Sequence, residues 1–172
     1  MARVLAVLTT LAVVASCAND APPRKANTST AMTRPITPRS KLPAAIQPLL
    51  PRNGIYVAGG GLVSSAWRVV LDLDAKTLYG GSATAANAPS FGKMDKETTR
   101  PLSPRNEQHL MELGHAAWHE VPPTTPPDPT VDYDEVFIVV EGDDAFYLQG
   151  YGPIRRPTAA QAIIELRAAA GL

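Results

Sequence analysis

Thiols and histidines are scarce in this sequence. Its 172 residues include one cysteine, Cys17, and three histidines, so no disulfide can form within the chain. Disulfides stabilise many small exported domains, and here packing must supply that stability instead. Thiol catalysis and zinc bound by several cysteines are therefore excluded for the part of the chain that follows Cys17.

Long apolar segments and familiar catalytic motifs are also missing. The longest apolar run extends from Val4 to Val14, interrupted by Thr9 and Thr10, whereas a membrane-spanning helix needs about 20 residues. The sequence lacks the G-x-S-x-G motif of serine hydrolases and a phosphate loop that ends in Gly-Lys-Ser/Thr. We therefore expect no ordinary transmembrane helix, no cofactor and no catalytic residue, and we predict that the protein is not an enzyme.

Basic charge is in deficit over the C-terminal two thirds of the chain. From Asn53 to the end there are nine basic and fifteen acidic residues, whereas Ala18 to Arg52 contains six basic residues and one acidic residue. Nucleic-acid binding requires a basic surface that neutralises phosphates, so we expect no nucleic-acid partner. The basic N-terminal part would instead be attracted to anionic lipid headgroups, by about 1 kcal/mol per residue close to the membrane surface.

What the N-terminus does contain is typical of an export signal. Residues 1–16 have a positive start, the apolar run and then small residues, which is the layout of a secretory signal peptide. The residues Val14-Ala15-Ser16-Cys17 resemble the lipobox of bacterial lipoproteins. The resemblance implies that the signal is cut before Cys17, and that this cysteine carries a diacylglyceryl group and often a further acyl chain such as palmitate.

The lipid on Cys17 determines the expected location. Two or three acyl chains anchor a protein stably, whereas one chain binds a membrane only marginally. In lipoproteins of bacteria with two membranes, an Asp directly after the cysteine often retains the protein in the inner membrane, and here Ala18 follows. The resemblance therefore implies a lipid-anchored protein of the cell envelope, with the outer membrane favoured over the inner membrane.

The composition changes again near Asn53. Residues 17–52 are rich in proline and in small and basic residues, without hydrophobic periodicity, and they predict a disordered tether. Within this tether, Lys41–Leu50 contains apolar side chains and could instead dock on the domain as a short helical turn. Residues 53–172 are numerous enough to fold alone, and we predict a single head domain there.

Alternating apolar and polar residues predict strands in the first half of the head domain. Gly54–Ala58 is one such strand, which Gly59–Gly61 is expected to end, and Ala66–Asp74 is the clearest. A short strand is predicted at Thr77–Tyr79. The small and charged residues of Gly80–Pro101 predict a long irregular loop.

The second half is predicted to contain a helix, a hairpin and a last helix. Ser103 and Pro104 are favourable residues for the start of the first helix, which reaches about His119 and is ended by the five prolines of Val121–Pro129. The later elements are a strand at Tyr133–Glu141, a turn at Gly142–Asp144, a strand at Ala145–Tyr151, and a helix that begins with Thr158 and Gln161 as a capping box and ends at Gly171. The order β-β-(β)-α-β-β-α predicts an α+β fold, with a small antiparallel sheet and two helices on one face.

All three histidines lie on the predicted first helix. His115 and His119 are four residues apart, a spacing that lets two imidazoles reach one metal ion, and Glu112 on the same face could be a third ligand. The zincin pattern needs Glu directly after the first His, and Ala116 stands there instead. A solvated polar face is the simpler interpretation, so Glu112, His115 and His119 are weak metal candidates and no metal site is predicted.

A second resemblance concerns the head domain. The glycine-rich Val57–Gly61 precedes an apolar strand around Trp67–Asp72, and a helix, a proline-rich loop, a hairpin and a final helix follow. This arrangement is similar to the emfourin type of small bacterial metalloprotease inhibitor. The resemblance implies protease inhibition as an alternative function, and no functional residue is carried over from it.

Three functional hypotheses remain open at this point. The size of the head domain, its tether and the lack of a catalytic motif favour a non-enzymatic envelope protein that binds another protein or a ligand. The first alternative is an inhibitor of an envelope protease. The second is an enzyme with an unrecognised site, in which Glu112, His115 and His119 would hold a metal ion.

Overall fold

The computed structural model describes residues 36–61, 64–86, 88–120 and 133–172. The predicted signal peptide, Cys17, the first part of the tether and the proline-rich Val121–Pro129 lie outside the described residues. The elements are β1 (Thr37–Pro38), β2 (Asn53–Gly61), β3 (Ser64–Asp72), β4 (Thr77–Ala86), β5 (Lys96–Pro101), α1 (Pro104–His119), β6 (Tyr133–Glu141), β7 (Asp144–Tyr151) and α2 (Pro157–Ala170).

The strands of the described residues form one seven-stranded sheet in the order β1-β7-β6-β2-β3-β4-β5. Every pair of neighbouring strands is antiparallel. Strand β2 lies near the middle, with β3 on one side and β6 on the other. The predicted α+β class is confirmed, because this antiparallel sheet is accompanied by the two helices.

The helices cover one face of the sheet, which we call the helix face. Strand β3 directs Trp67, Val69 and Leu71 towards it, as their alternation in the sequence requires. From the helices, Trp118 and Leu166 are fully buried against these strands. Trp118 also stacks on a phenylalanine of β7, Phe146, with 5.8 Å between ring centres. This apolar layer is the main core of the domain.

Helix α1 begins as predicted, whereas α2 begins differently. Ser103 precedes α1, and its hydroxyl accepts a hydrogen bond from the backbone N–H of Asn106 at 3.3 Å. The capping box predicted for Thr158 is wrong, because α2 already starts at Pro157 after Arg156. The Thr158 N–H instead donates to the carboxylate of Glu120 at 3.0 Å. A side chain from the end of α1 thus satisfies the backbone donor that a local cap would have satisfied.

The prediction that Gly59–Gly61 ends the strand that contains Gly54–Ala58 is also wrong. All three glycines belong to β2 and pair with β6, Gly59 with Glu135 for example. A Cβ atom on Gly60 would lie only 3.0 Å from the Cα of Ala66 on β3. The glycines are tolerated in the strand because hydrogen bonds to β3 and β6 hold the backbone on both sides. The missing side chain of Gly60 permits the close approach of β3.

The irregular loop predicted at Gly80–Pro101 is wrong in two places. Strand β4 continues to Ala86, and β5 adds an edge strand at Lys96–Pro101. The small residues of β4 give no alternating pattern, but the structure needs them. A Cβ atom on Gly80 would meet the Cβ of Ala170 at 2.8 Å, so α2 packs directly on the backbone of β4.

A segment before Asn53 crosses the second face of the sheet. Strand β1 pairs with β7 at the edge, and two 3-10 turns, Arg39–Lys41 and Gln47–Leu49, follow it. We call residues 37–50 the strap. Its side chains Leu42, Ile46 and Leu50 are buried against Tyr56, Ala58, Val136, Ile138, Val140 and Ala145. These residues were predicted to belong to the tether, with docking of Lys41–Leu50 as a short helical turn as the alternative. The structure has this docked arrangement, because it buries the apolar side chains.

Candidate ligand-binding pocket

The second face of the sheet has a covered half and an open half. The strap covers the side formed by β7, β6 and β2. On the side formed by β3, β4 and β5, the loop before β5 covers Ala66 and Arg68, and the rest of this side is the open half. A pocket of 340 Å³ lies on the open half beside the strap. It is lined by Leu49, Arg68, Val70, Asp72, Thr77, Tyr79 and Glu97.

The floor of the pocket is built by strand register. Arg68, Val70 and Asp72 alternate along β3 and therefore point to the same face. Their partners on β4 are Gly81 for Arg68, Tyr79 for Val70 and Thr77 for Asp72. The floor thus consists of three rows of side chains. Neighbouring rows are two residues apart along each strand, a distance of about 6.6 Å. Polar rows lie at both ends, and Val70 lies in the middle.

Arg68 is the most deeply buried charged residue of the pocket, with 7% of its surface exposed. Its Nη1 donates to the carbonyl oxygens of Ser90 and Gly92, both at 3.3 Å. Its Nη2 donates to Tyr79 Oη at 3.3 Å, and its guanidinium carbon lies 5.4 Å from the centre of the Tyr79 ring. These contacts fix the guanidinium and direct much of its hydrogen-bonding capacity towards the loop between β4 and β5.

Tyr79 connects Arg68 to Glu97. Its hydroxyl accepts the bond from Arg68 and donates to Glu97 Oε1 at 2.8 Å. Burial raises the pKa of Tyr79, so the phenol stays protonated and keeps its donor at neutral pH. A Cβ atom on Gly81 would lie 2.7 Å from the Tyr79 hydroxyl oxygen. Glycine at position 81 therefore leaves the space through which the phenol reaches Glu97.

A second phenol lies beneath this set. Tyr56 is fully buried near Arg68, and within the described residues its hydroxyl makes no hydrogen bond of regular geometry. Burial raises the pKa of Tyr56 to about 12, and the positive charge of nearby Arg68 opposes part of that rise. Tyr56 is therefore neutral at physiological pH, and it does not offset the charge of Arg68.

The residues singled out as metal candidates lie on the exposed side of α1. His115 Nε2 is hydrogen-bonded to Glu141 Oε1 on β6 at 2.7 Å, and Glu112 accepts a bond from Gln108 at 2.8 Å. His119 is exposed at the end of the helix. In the part of the chain that the structure describes, no three histidine, cysteine or acidic side chains are grouped so that they could hold a metal ion.

The pocket residues are not recognisable as a set in the sequence. Arg68 and Asp72 stood out only as polar positions of a half-buried strand, and the alternation there is the one signal that could have placed them on a common face. Glu97 fell in the predicted loop. Its strand, β5, is exposed along its whole length and shows no apolar alternation.

Comparisons with known proteins leave this geometry as the main guide to function. Neither α1 nor α2, the helices of the described part, has the length and apolar character needed to cross a bilayer. No protein-family model matches the sequence, and a search of curated proteins gave no match.

Proposed function

We propose that this protein is a lipid-anchored protein of the bacterial cell envelope whose head domain is a non-enzymatic binding module. The observation that carries the binding role is the pocket on the open half of the second face. Ligand sites combine an apolar surface with a few fixed polar groups. The pocket has both, since Leu49 and Val70 lie beside the Arg68–Tyr79–Glu97 hydrogen-bonded set.

The fixed geometry of this set favours binding. Arg68 is held by two loop carbonyls and by Tyr79, so its side chain need not be ordered when a ligand arrives. Polar groups that are already in place lower the entropic cost of association. The ligand is a small molecule or a side chain of a protein partner in the envelope, because a volume of 340 Å³ is at the lower end for ligand pockets.

Binding can be tested without knowing the ligand. A ligand that binds the folded state raises the melting temperature, so a library of small polar compounds is screened by thermal shift on the wild-type chain and on Val70→Phe, which fills the middle of the pocket. We expect compounds that stabilise the wild type and not the variant. If no compound stabilises either protein, or if all hits act equally on Val70→Phe, the pocket is not the binding site.

The proposed anchor is tested separately. Cys17 and the lipobox support lipidation, and Ala18 supports the outer membrane over the inner membrane. Cells that produce the protein are labelled with palmitate, and their membranes are separated by density. We expect labelled wild-type protein in the outer membrane and no label on Cys17→Ala. Equal labelling of both proteins would reject Cys17 as the lipidation site.

A further inference from the structure

The charge of the pocket is unevenly distributed. Asp72 and Glu97 are negative and Arg68 is positive, so the lining carries one net negative charge at neutral pH. Arg68 and Glu97 are joined through the Tyr79 hydroxyl and offset each other at one end of the floor. At the other end Asp72 has no cation opposite, because its partner on β4 is Thr77.

Among the described residues Asp72 forms no ion pair, and its charged neighbours in the sequence have other partners. Lys76 in the following turn is directed to Glu107 on α1, with 3.3 Å between Nζ and Oε2. Asp74 accepts from the side-chain amide of Asn53. Asp72 itself uses Oδ1 to accept the N–H of Ala75 at 2.9 Å. Within the described ranges no hydrogen bond occupies Asp72 Oδ2 or the Thr77 hydroxyl, so both can accept at the pocket end.

The three rows of the floor differ in chemistry. Asp72 and Arg68 are four residues apart on β3, which corresponds to about 13 Å along the strand. Val70 and, from the strap, Leu49 supply apolar surface between them. A complementary ligand therefore has a positive donor at one end, a short apolar chain, and a neutral polar group at the other end.

We infer that the pocket binds a primary amine on a short alkyl chain, either a free alkylamine or the side chain of a lysine. This inference rests on the proposed binding function. The ammonium group donates to Asp72 and Thr77, and the alkyl chain packs on Val70 and Leu49. A peptide amide or a hydroxyl on the ligand then reaches Glu97 and Tyr79.

The test uses the mature chain, residues 17–172, with Cys17→Ala so that it stays unlipidated. Four probes are titrated by calorimetry: n-pentylamine, N-acetyl-lysine methylamide and, as uncharged matches, 1-pentanol and N-acetyl-norleucine methylamide. We expect the amines to bind about tenfold or more tightly than their neutral matches, since a charged hydrogen bond is stronger than a neutral one. Their affinity should fall as salt is added.

The source of the amine is read from the same titration. Tighter binding of the lysine derivative than of n-pentylamine identifies a polypeptide side chain, because of these two amines only the lysine derivative offers amides to Glu97 and Tyr79. Equal binding identifies a free alkylamine. Equal affinities of charged and neutral probes would overturn the inference.

Two variants locate the ammonium group. Asp72→Asn removes the charge but keeps an acceptor for the Ala75 N–H, and it should weaken amine binding about tenfold. Asp74→Asn makes the same change two residues away, outside the pocket lining, and should have little effect. Thr77→Val keeps the side-chain shape and should weaken binding several-fold, which provides a second reading if Asp72→Asn folds poorly. Unchanged binding in Asp72→Asn and Thr77→Val would overturn the inference.

The outcome also separates this inference from the proposed function. If other compounds stabilise the wild type but not Val70→Phe while the amines fail, the pocket is a binding site for a different chemical class. If nothing binds there, both proposals are wrong.

Discussion

The two faces of the sheet use the same strands for different purposes. On β3, Trp67 and Leu71 point into the helix face and are buried among apolar side chains, whereas Arg68 and Asp72 point to the second face and line the pocket. Alternate residues of this strand therefore lie in different environments, the apolar core on one face and the pocket on the other. The comparison suggests that stability depends mainly on the helix face, while ligand binding depends on the open half of the second face.

The second face repeats this division on a smaller scale. The strap seals its half with three buried apolar side chains, Leu42, Ile46 and Leu50. The half above β3, β4 and β5 is covered only at its Ala66–Arg68 end, by the loop before β5, and Leu49 of the strap lies at the boundary between the two halves. Through Leu49 the strap therefore also forms part of the wall of the pocket.

The largest effect is expected from a cavity in the helix face. Trp118 is 1% exposed and stacks on Phe146, so Trp118→Ala should lower the free energy of unfolding by about 3–5 kcal/mol. Urea denaturation measures the change. Compounds that bind the pocket should keep their affinity for the protein that remains folded. A loss below about 1 kcal/mol would contradict the assignment of this face as the main core.

The strap allows a comparison between neighbouring leucines. Leu50 is 7% exposed, whereas Leu49 is only partly buried and faces the pocket. Leu50→Ala should lower the free energy of unfolding by about 2–3 kcal/mol, and Leu49→Ala by clearly less. Chemical denaturation of both variants checks the order. Equal losses of unfolding free energy would contradict the distinction between Leu50, which packs on the sheet, and Leu49, which lines the pocket.

Removing one hydroxyl from the open half should have a smaller effect. Tyr79→Phe breaks the bonds to Arg68 and Glu97, and it should lower the free energy of unfolding by about 1 kcal/mol. The same variant should change the affinity of pocket ligands, which Trp118→Ala should not. Thermal melts and ligand titrations of the two variants test this difference between an effect on stability and an effect on affinity. Identical ligand affinities of the two variants would contradict it.

The smallest effect is a pH dependence on the outer surface of the helices. Glu165 accepts a hydrogen bond from Gln161 and is bonded to His109, and these contacts lower the pKa of Glu165 below its ordinary value of 4.5. Because the folded-state pKa is depressed, the stabilisation is present above about pH 4.5 and is lost as the pH falls through the lowered value.

Glu165→Gln removes this titration. The wild type should therefore lose more stability than the variant when the pH is lowered from about 6 to about 3. The difference should be small because the pair is partly exposed to solvent, which screens the interaction. Urea midpoints of both proteins at the two pH values provide the measurement, and parallel losses would exclude a contribution from Glu165.

Strong periodicity made the helix face predictable from the sequence. The alternation around Trp67 and the Ser103–Pro104 start gave the type and position of β3 and α1, because each pattern is local. The start of α2 was not predictable in this way. Its backbone donor is satisfied by Glu120, which becomes a neighbour of Thr158 only after α1 and α2 have packed.

The pocket was less predictable because its residues meet only through the sheet. Gly81 and Glu97 lie on β4 and β5, where small and polar residues hide the strand pattern. The need for glycine at position 81 arises from the Tyr79 phenol that crosses it. Such a requirement depends on a neighbour in space, and no local pattern in the sequence records it.

The most direct test of the contrast between the faces is backbone NMR of residues 17–172 with Cys17→Ala during titration with n-pentylamine, with 1-pentanol as the matched control. We expect shift changes concentrated at Asp72, Thr77, Tyr79 and Glu97, with α1 and α2 unaffected and much smaller changes from 1-pentanol. Changes concentrated on the helices, or equal changes from the two probes, would contradict a ligand site on the open half of the sheet for this cation.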